Sequence, residues 1–447
     1  MGFTGSRMVM SVCIDSRNIL PDALFVPLAG EHVDGHSFIA QAIGNGAAAV
    51  FCAESVWREQ GKAIVGQCER QNASCVVVAD PLAALQRLAA YHLTKFPGLV
   101  RIGITGSSGK TTTKEILGTI LSGYANTMVS SKNLNSEIGV PLQAFRVTKE
   151  HDYAVFEMGI NHEGEMDTLA DIVQPTFAVI TNIGTAHIGL LGSRENIAME
   201  KKKIVKHFSG AGTLFVHEQE PYLKLLTDSV RGEVIRYGPH STKGFEGSRS
   251  MGLDGTVINW EGLQIRFPLF GTYNLQNALV CISVAAALGI PAETIRQGLE
   301  SVQTIFGRSE IIQGEISILK DCYNANPDSV AKALNFLHEI NWEGRKIAVL
   351  GGMLELGEES RFLHEQIGRL CGELSFHAVF FFGKEMKPAF SEFKNTGNKA
   401  FCEWFEDFDA LFAAVSGYVQ KHDLLLLKGS RGMAMERIAD MIAGAKQ

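Results

Sequence analysis

The sequence predicts an α/β protein of three domains, on three observations. At 447 residues, 46% of them apolar, the chain is too long for one hydrophobic core and has apolar residues enough for several. Short apolar runs alternate with helix-like stretches along nearly its whole length, the pattern of strands joined by crossover helices. Pro97-Gly98 punctuates this alternation, and a fresh series of apolar runs begins near residue 309. The expected domains are therefore 1–97, 98–308 and 309–447.

In the first segment "VCID", "ALFVPL", "AAAVFC" and "CVVVAD" read as strands, and "HSFIAQAIGNGA" and "PLAALQRLAAYHLTKF" as helices, a small α/β unit. The second opens on "LVRIGITGSSGKTTTKEILGTIL": a buried strand, a glycine loop, and a helix with Ile116, Leu117, Ile120 and Leu121 on one face. "YAVFEMG", "TFAVITNIG", a lysine-bearing helix, "GTLFVHE" and "NLQNALVCISVAAALGI" continue the alternation, so a central parallel sheet of the P-loop ATPase type is expected. The third carries strands "RKIAVLGG", "HAVFFFG" and "DLLLLKGS" between helical segments, a Rossmann-like arrangement. No internal repeat or low-complexity linker interrupts the chain.

A net charge of −7 gives no general attraction to nucleic acid. The eight cysteines include no CxxC pair, which argues against a zinc cluster or a disulfide framework and for a reducing cytoplasm. No apolar run approaches the ~20 residues of a membrane span, and the first residues lack the apolar core of a signal peptide. A cytoplasmic protein without a membrane partner is expected.

"GITGSSGKTTT" lies between an apolar strand and a helix N-terminus, where backbone N–H groups and the helix dipole face an anion. Gly106, Ser107, Ser108, Gly109 and Thr112 would line this phosphate loop. Lys110 would touch the β and γ phosphates, and the Thr111 hydroxyl a magnesium ion. The match is to G-x-x-G-K-T, since the longer pattern finds Ile104 where it wants glycine. Glu157 and His187 follow apolar strands of the same segment, and ligands gather at the carboxyl ends of strands in such sheets. Either residue alone fits a helix cap or a structural histidine; beside a phosphate loop they fit magnesium ligands. Asn274 and Asn277 suit helix capping as well as ligand binding. Lys428, Ser430 and Arg431 end the leucine strand, where they would face an anionic group. "GGMLELG" lacks the G-x-G-x-x-G spacing of a dinucleotide site.

"ENIAMEKKKIVKHF", residues 195–208, is less ordinary than its lysines suggest. On a helix, Ile197, Lys201, Ile204, Val205 and Phe208 share one face, so Lys201 stands inside an apolar stripe while Lys202, Lys203 and Lys206 face water. Burial favours the neutral amine, which reacts with carbon dioxide to give a carbamate, an oxygen anion suited to magnesium. The competing reading is an unmodified lysine.

Taken together, "DSRNILPDALFVPLAGEHVDGHSF", "TGSSGKTTTKE", "NLNSEIGVPL", "EMGINHEGE", "TNIGTAHI", "GTYNLQNA", "DCYNANPDS", "VLGGMLELG" and "LLKGSRGMAME" resemble the Mur ligase family, ATP-dependent amide-forming enzymes of bacterial cell-wall synthesis. The resemblance is to the members that add D-alanyl-D-alanine to UDP-N-acetylmuramoyl-tripeptide, through an acyl phosphate. It implies ATP and two magnesium ions, with Lys110 and Thr111 on nucleotide and metal, Glu157 and His187 serving the metals, and Lys201 aligned with a carbamylated lysine. It further implies Asn274 and Asn277 near adenine, Arg308 and Asp321 on the nucleotide from the domain boundary, and Ser16 and Arg17 on the UDP moiety. Asn133, Asn135, Asn161 and His162 would line the substrate cleft, and the segment of Lys428, Ser430 and Arg431 would serve the amino component. A monomer is expected, with closure of the third domain hinged near Arg308. Ser136 stands where the family often has asparagine, and Lys203 near a usual glutamate. The motifs leave lysine and diaminopimelate equally open as the third peptide residue.

Overall fold

In a computed structural model, which describes all residues except 1, 31–32, 132, 304–306, 308–309 and 445–447, the apolar runs become strands of three parallel or largely parallel sheets. Strands buried on both faces need no polar alternation, which is why they read as continuous apolar runs. The first sheet orders Ser11–Cys13, Ala23–Phe25, Ala49–Ala53 and Ser74–Val78, all parallel. One face packs on the helices Ile39–Gly44 and Glu54–Gln71, through Ile43, Ile64 and Cys68. Helix Pro81–Thr94, capped by Asp80, serves two cores: Ala84 and Leu85 cover the other face of this sheet, while Ala89 and Leu93 lie in the core of the next domain.

The central sheet orders Gly232–Tyr237, Gly212–His217, Phe177–Ile180, Val100–Thr105, Tyr153–Glu157 and Thr127–Val129, all parallel, with one hydrophobic core on each face. Register sets Ile104 beside Glu157 and Thr105 beside Ile180, so the ends of three adjacent strands surround the loop that follows Thr105. The sequence reading does not anticipate the antiparallel meander Phe245–Ser250, Thr256–Trp260 and Leu263–Phe267. Its second turn, Glu261-Gly262, has φ of 47° and 73°, the paired positive values of a two-residue type I′ hairpin.

The third sheet orders Glu310–Ile312, Ser317–Lys320, Leu424–Lys428, Lys346–Gly351, Ala378–Phe382 and Phe401–Phe405; the first strand is antiparallel and the others parallel. Leu424 to Leu427 are fully buried within it. This domain docks on the central one, where Phe270 stacks on Phe336 with centroids 4.5 Å apart and Ile188 and Tyr273 pack against the same core. Among the described residues no helix is long and apolar enough to cross a membrane.

Candidate active site

The loop after Thr105 turns through Gly106 and Gly109, at φ of 148° and 84°. L-residues rarely adopt these values, and space forbids a side chain as well: a Cβ on Gly106 would overlap the Thr181 hydroxyl, and one on Gly109 would lie 2.7 Å from Asn277 Oδ1. The neighbouring strand end holds the loop. Thr181 Oγ1 donates to the Ser108 carbonyl at 2.6 Å, Asn182 Oδ1 accepts from Ser108 N at 3.1 Å, and Ser107 Oγ accepts from Gly184 N at 2.8 Å. Helix Lys110–Ser122 starts at Gly109 with no side-chain cap, leaving its first N–H groups for an anion. Lys110 Nζ folds back to donate to the Gly106 carbonyl at 2.7 Å.

Directly beneath, Thr111 Oγ1 donates to Glu157 Oε2 at 2.8 Å, and Asn135 Nδ2 donates to Glu157 Oε1 at the same distance. Thr111 and Glu157 are buried. A hydroxyl and a carboxylate oxygen thus stand within reach of one hard cation, the donor set magnesium takes together with phosphate oxygens. His187 takes a left-handed φ of 62°, and its Nδ1 is 3.0 Å from Glu355 Oε2 but not aligned to hydrogen-bond with it. Burial, with the charge of Lys110 next, pushes its pKa down to about 4, so the ring is neutral at neutral pH. The unfolded chain, with a histidine pKa near 6.5, takes up this proton first, so His187 lowers stability as pH falls from about 6.5 towards 4. NMR of the metal-free protein should show a neutral His187 imidazole at pH 6; a protonated ring there contradicts this environment.

Ser193 caps helix Arg194–Lys202 by accepting from Asn196 N, and a 3₁₀ turn, Lys203–Val205, continues it. Lys201 is 1% exposed, between Ile197 and Ile204. Burial and the charge of Lys110 hold its pKa well below the ordinary lysine value, against the pull of Glu200. Glu200 is committed elsewhere, accepting from Met166 N at 2.9 Å and pairing with Lys203 at 2.7 Å. This corrects the reading of Lys203 and Lys206 as simply solvated: Lys203 also bridges Asp167 at 2.8 Å, and Lys206 pairs with Asp171 at 2.8 Å.

Lys110, Thr111, Glu157 and His187 border a cleft of about 310 Å³ walled by the central and C-terminal domains, whereas Lys201 is not among the residues that line it. Asn133, Asn135, Asn161, Asn274, Asn277, Asp321 and Lys428 all line it, as does Ser136. Asn274 Nδ2 donates to the Phe270 carbonyl, and Asn277 Nδ2 to Asn274 Oδ1, so both also stabilise the start of helix Thr272–Ala287. Lys428, itself buried, pairs with Asp321 Oδ2 at 2.7 Å.

Other expected residues lie elsewhere. Ser16 is buried in the first domain, donating to Gln41 Oε1, and exposed Arg17 folds onto Asp15 at 2.9 Å. His162 is outside the cleft wall, though its charge reaches His187. Ser430 is buried, and its hydroxyl accepts from Leu354 N at 2.9 Å and donates to the Ala325 carbonyl, holding two loops together. Arg431 is exposed and pairs with Glu436 at 2.8 Å. Arg308, with the expected hinge, lies outside the described residues. The sequence reading misses Thr181 and Asn182, which grip the phosphate loop, although they follow an apolar run just as Glu157 does. It also misses Tyr273, Asn326, Ser329 and Lys332 in the cleft wall.

Family models match the chain over residues 9–92 (Mur ligase family, catalytic domain), 104–285 (Mur ligase middle domain) and 307–431 (Mur ligase, glutamate ligase domain). The UDP-N-acetylmuramoyl-tripeptide--D-alanyl-D-alanine ligase of Treponema pallidum is 39% identical over 98% of this chain and 95% of its own. The chain belongs to the Mur ligase family. Among solved Mur ligases, MurF from Acinetobacter baumannii superposes with a TM-score of 0.86 at 31% identity, covering 97% of this chain and 94% of that one. MurF ligase from Thermotoga maritima, solved in complex with ADP, gives 0.82 at 26% identity, covering 97% of each.

Proposed function

We propose that this Mur ligase joins D-alanyl-D-alanine to a UDP-N-acetylmuramoyl-tripeptide with hydrolysis of ATP to ADP and phosphate, in peptidoglycan precursor synthesis. The observation that carries the reading is the meeting of Lys110, the Thr111–Glu157 pair and His187 in the wall of one cleft closed by the C-terminal domain, with the buried Lys201 amine within electrostatic reach of Lys110 and His187. A carboxylate is a poor acyl donor because its leaving group is oxide. Transfer of the γ-phosphoryl group to an oxygen of the peptide's terminal carboxylate releases ADP and supplies phosphate as the leaving group. The dipeptide amine then attacks the acyl carbon, and the tetrahedral intermediate expels phosphate while the nitrogen loses its proton.

Lys110 and the open N–H groups of its helix hold the phosphates and offset the charge that spreads over the transferring group. Thr111, Glu157, His187 and Lys201, the last as its carbamate, would hold two magnesium ions, which when bound neutralise phosphate charge. Asn274 and Asn277 would face the adenine, and Arg308 and Asp321 the nucleotide from the domain boundary. Asn133, Asn135, Asn161 and His162 would border the peptide, Ser16 and Arg17 would meet the UDP moiety, and Lys428 would meet the dipeptide carboxylate. On this reading, segments 1–97, 98–308 and 309–447 act as UDP-substrate, ATP and amino-component domains of a cytoplasmic monomer.

An ADP-release assay over a panel of UDP-peptides and dipeptides tests the reading. Release should require D-alanyl-D-alanine together with a UDP-tripeptide, and comparing lysine with diaminopimelate at the third position reads that preference. Release driven by a free amino acid and a UDP-dipeptide would instead assign the chain to another step of the family.

A further inference from the structure

One residue of the C-terminal domain makes the principal polar contacts with the segment that carries His187 and Lys201. Asp328 stands in the first turn of helix Pro327–Glu339, where Asn326 and Ser329 cap each other reciprocally. Its Oδ2 accepts from Thr185 N at 2.7 Å and from Thr185 Oγ1 at 2.8 Å, and its Oδ1 lies 3.2 Å from Arg194 Nη2. Thr185 is buried and precedes His187 by two residues; Arg194 opens the helix that ends beyond Lys201. The surfaces meet tightly here. A Cβ on Gly184 would overlap the Asp328 carboxylate, and Gly189 and Gly357 pass backbone against backbone. Gly184 N donates in turn to Ser107 Oγ of the phosphate loop. A chain of direct contacts therefore runs from the phosphate loop through Gly184 and Thr185 to Asp328, and on to Asn326 and Ser329 in the cleft wall.

We propose that Asp328 is a positioning residue that clasps the C-terminal domain to the metal-bearing segment, so that the closed cleft and the phosphate-loop geometry form together. The two bonds from Thr185 carry the clasp, because they are short and charge-assisted and their donor residue is buried. The Arg194 pair is largely exposed and adds little. Opening the cleft breaks both Thr185 bonds at once. Weakening them populates the undocked arrangement and lowers apparent nucleotide affinity by the fraction no longer closed. The proposal rests on the ligase reading only where turnover is measured.

The test uses the full chain as Asp328→Ala, Thr185→Ala and Arg194→Ala, with ADP and magnesium as the probe. Asp328→Ala should bind ADP about 10- to 100-fold more weakly by calorimetry. Its nucleotide-free radius of gyration by X-ray scattering should exceed that of the parent and fall back on ADP addition. The KM for ATP should rise while kcat at saturating ATP stays within about threefold. Thr185→Ala should show a smaller loss of the same kind, Arg194→Ala almost none, and Thr185→Ala with Asp328→Ala no more than Asp328→Ala alone. Parental ADP affinity and radius in Asp328→Ala, or losses that multiply in the double variant, overturn the clasp. Should Asp328→Ala fail to fold, parental affinity and radius in Thr185→Ala overturn it equally. Neither calorimetry nor scattering needs turnover, so a protein that passes these tests but releases no ADP with any UDP-peptide would refute the ligase reading and leave the clasp standing.

Discussion

Lys110→Ala is expected to cut D-alanyl-D-alanine-dependent ADP release by about 10³-fold or more, the scale on which a single cation contributes to phosphoryl transfer. The fold should survive. Lys110 Nζ bonds the Gly106 carbonyl across the loop, and such a bond is worth about 1 kcal/mol net, small against the two cores of the central domain. Loop shape depends on other groups, the Thr181 hydroxyl and the Asn182 amide, and both remain in the variant. Circular dichroism and the unfolding midpoint should therefore stay close to the parent while activity vanishes. Lys110→Arg should remain impaired, because a planar guanidinium cannot follow the same path back over the loop. Near-normal ADP release by Lys110→Ala would end the reading of this loop as the ATP site.

What the sequence revealed and what it concealed divide along physical lines. Buried parallel strands show as unbroken apolar runs, so the strand ends, and with them Thr111, Glu157 and His187, were legible. The 3.6-residue period placed Lys201 inside. Helix Glu54–Gln71 escaped because it buries only Gly61, Ile64 and Cys68 and so lacks an apolar stripe. The meander escaped because its first strand, "FEGSRS", is polar and partly exposed, although Glu261-Gly262 between "TVINW" and "LQIRF" was a usable hairpin signal. Position along a strand fixes which residues reach its end but not where the chain turns next. Lys428 points into the cleft, yet Ser430, two residues on, is spent bracing Leu354 and Ala325. The contact of Asp328 with Thr185 joins residues 143 apart, for which no local pattern exists.

Lys201→Ala is expected to be nearly inactive and to regain part of its activity when short carboxylic acids are added. The expectation follows from where the amine sits. Its side chain is 1% exposed, packed beside Ile197 and Ile204, and its neighbour Glu200 is held by Met166 N and Lys203. Among the described residues no carboxylate pairs with the Lys201 amine, and the charge of Lys110 opposes a second cation, so the neutral amine is favoured. A neutral amine can add carbon dioxide and lose a proton, and such a carbamate would supply an anion with two oxygens of the kind magnesium takes. Alanine removes that anion and leaves a space in the core that acetate or propionate can fill, lending the metal a carboxylate oxygen in its place. The same reasoning separates the neighbouring lysines. Lys202→Ala should stay active, and Lys203→Ala should lose stability rather than chemistry, because it strips the half-buried partner from buried Glu200. Intact-mass and ¹³C-bicarbonate NMR measurements should detect the carbamate in the parent and not in Lys201→Ala. Full activity of Lys201→Ala, or an equal loss in Lys202→Ala, would refute the assignment, since neither outcome is compatible with an anion delivered to the metal at position 201 alone.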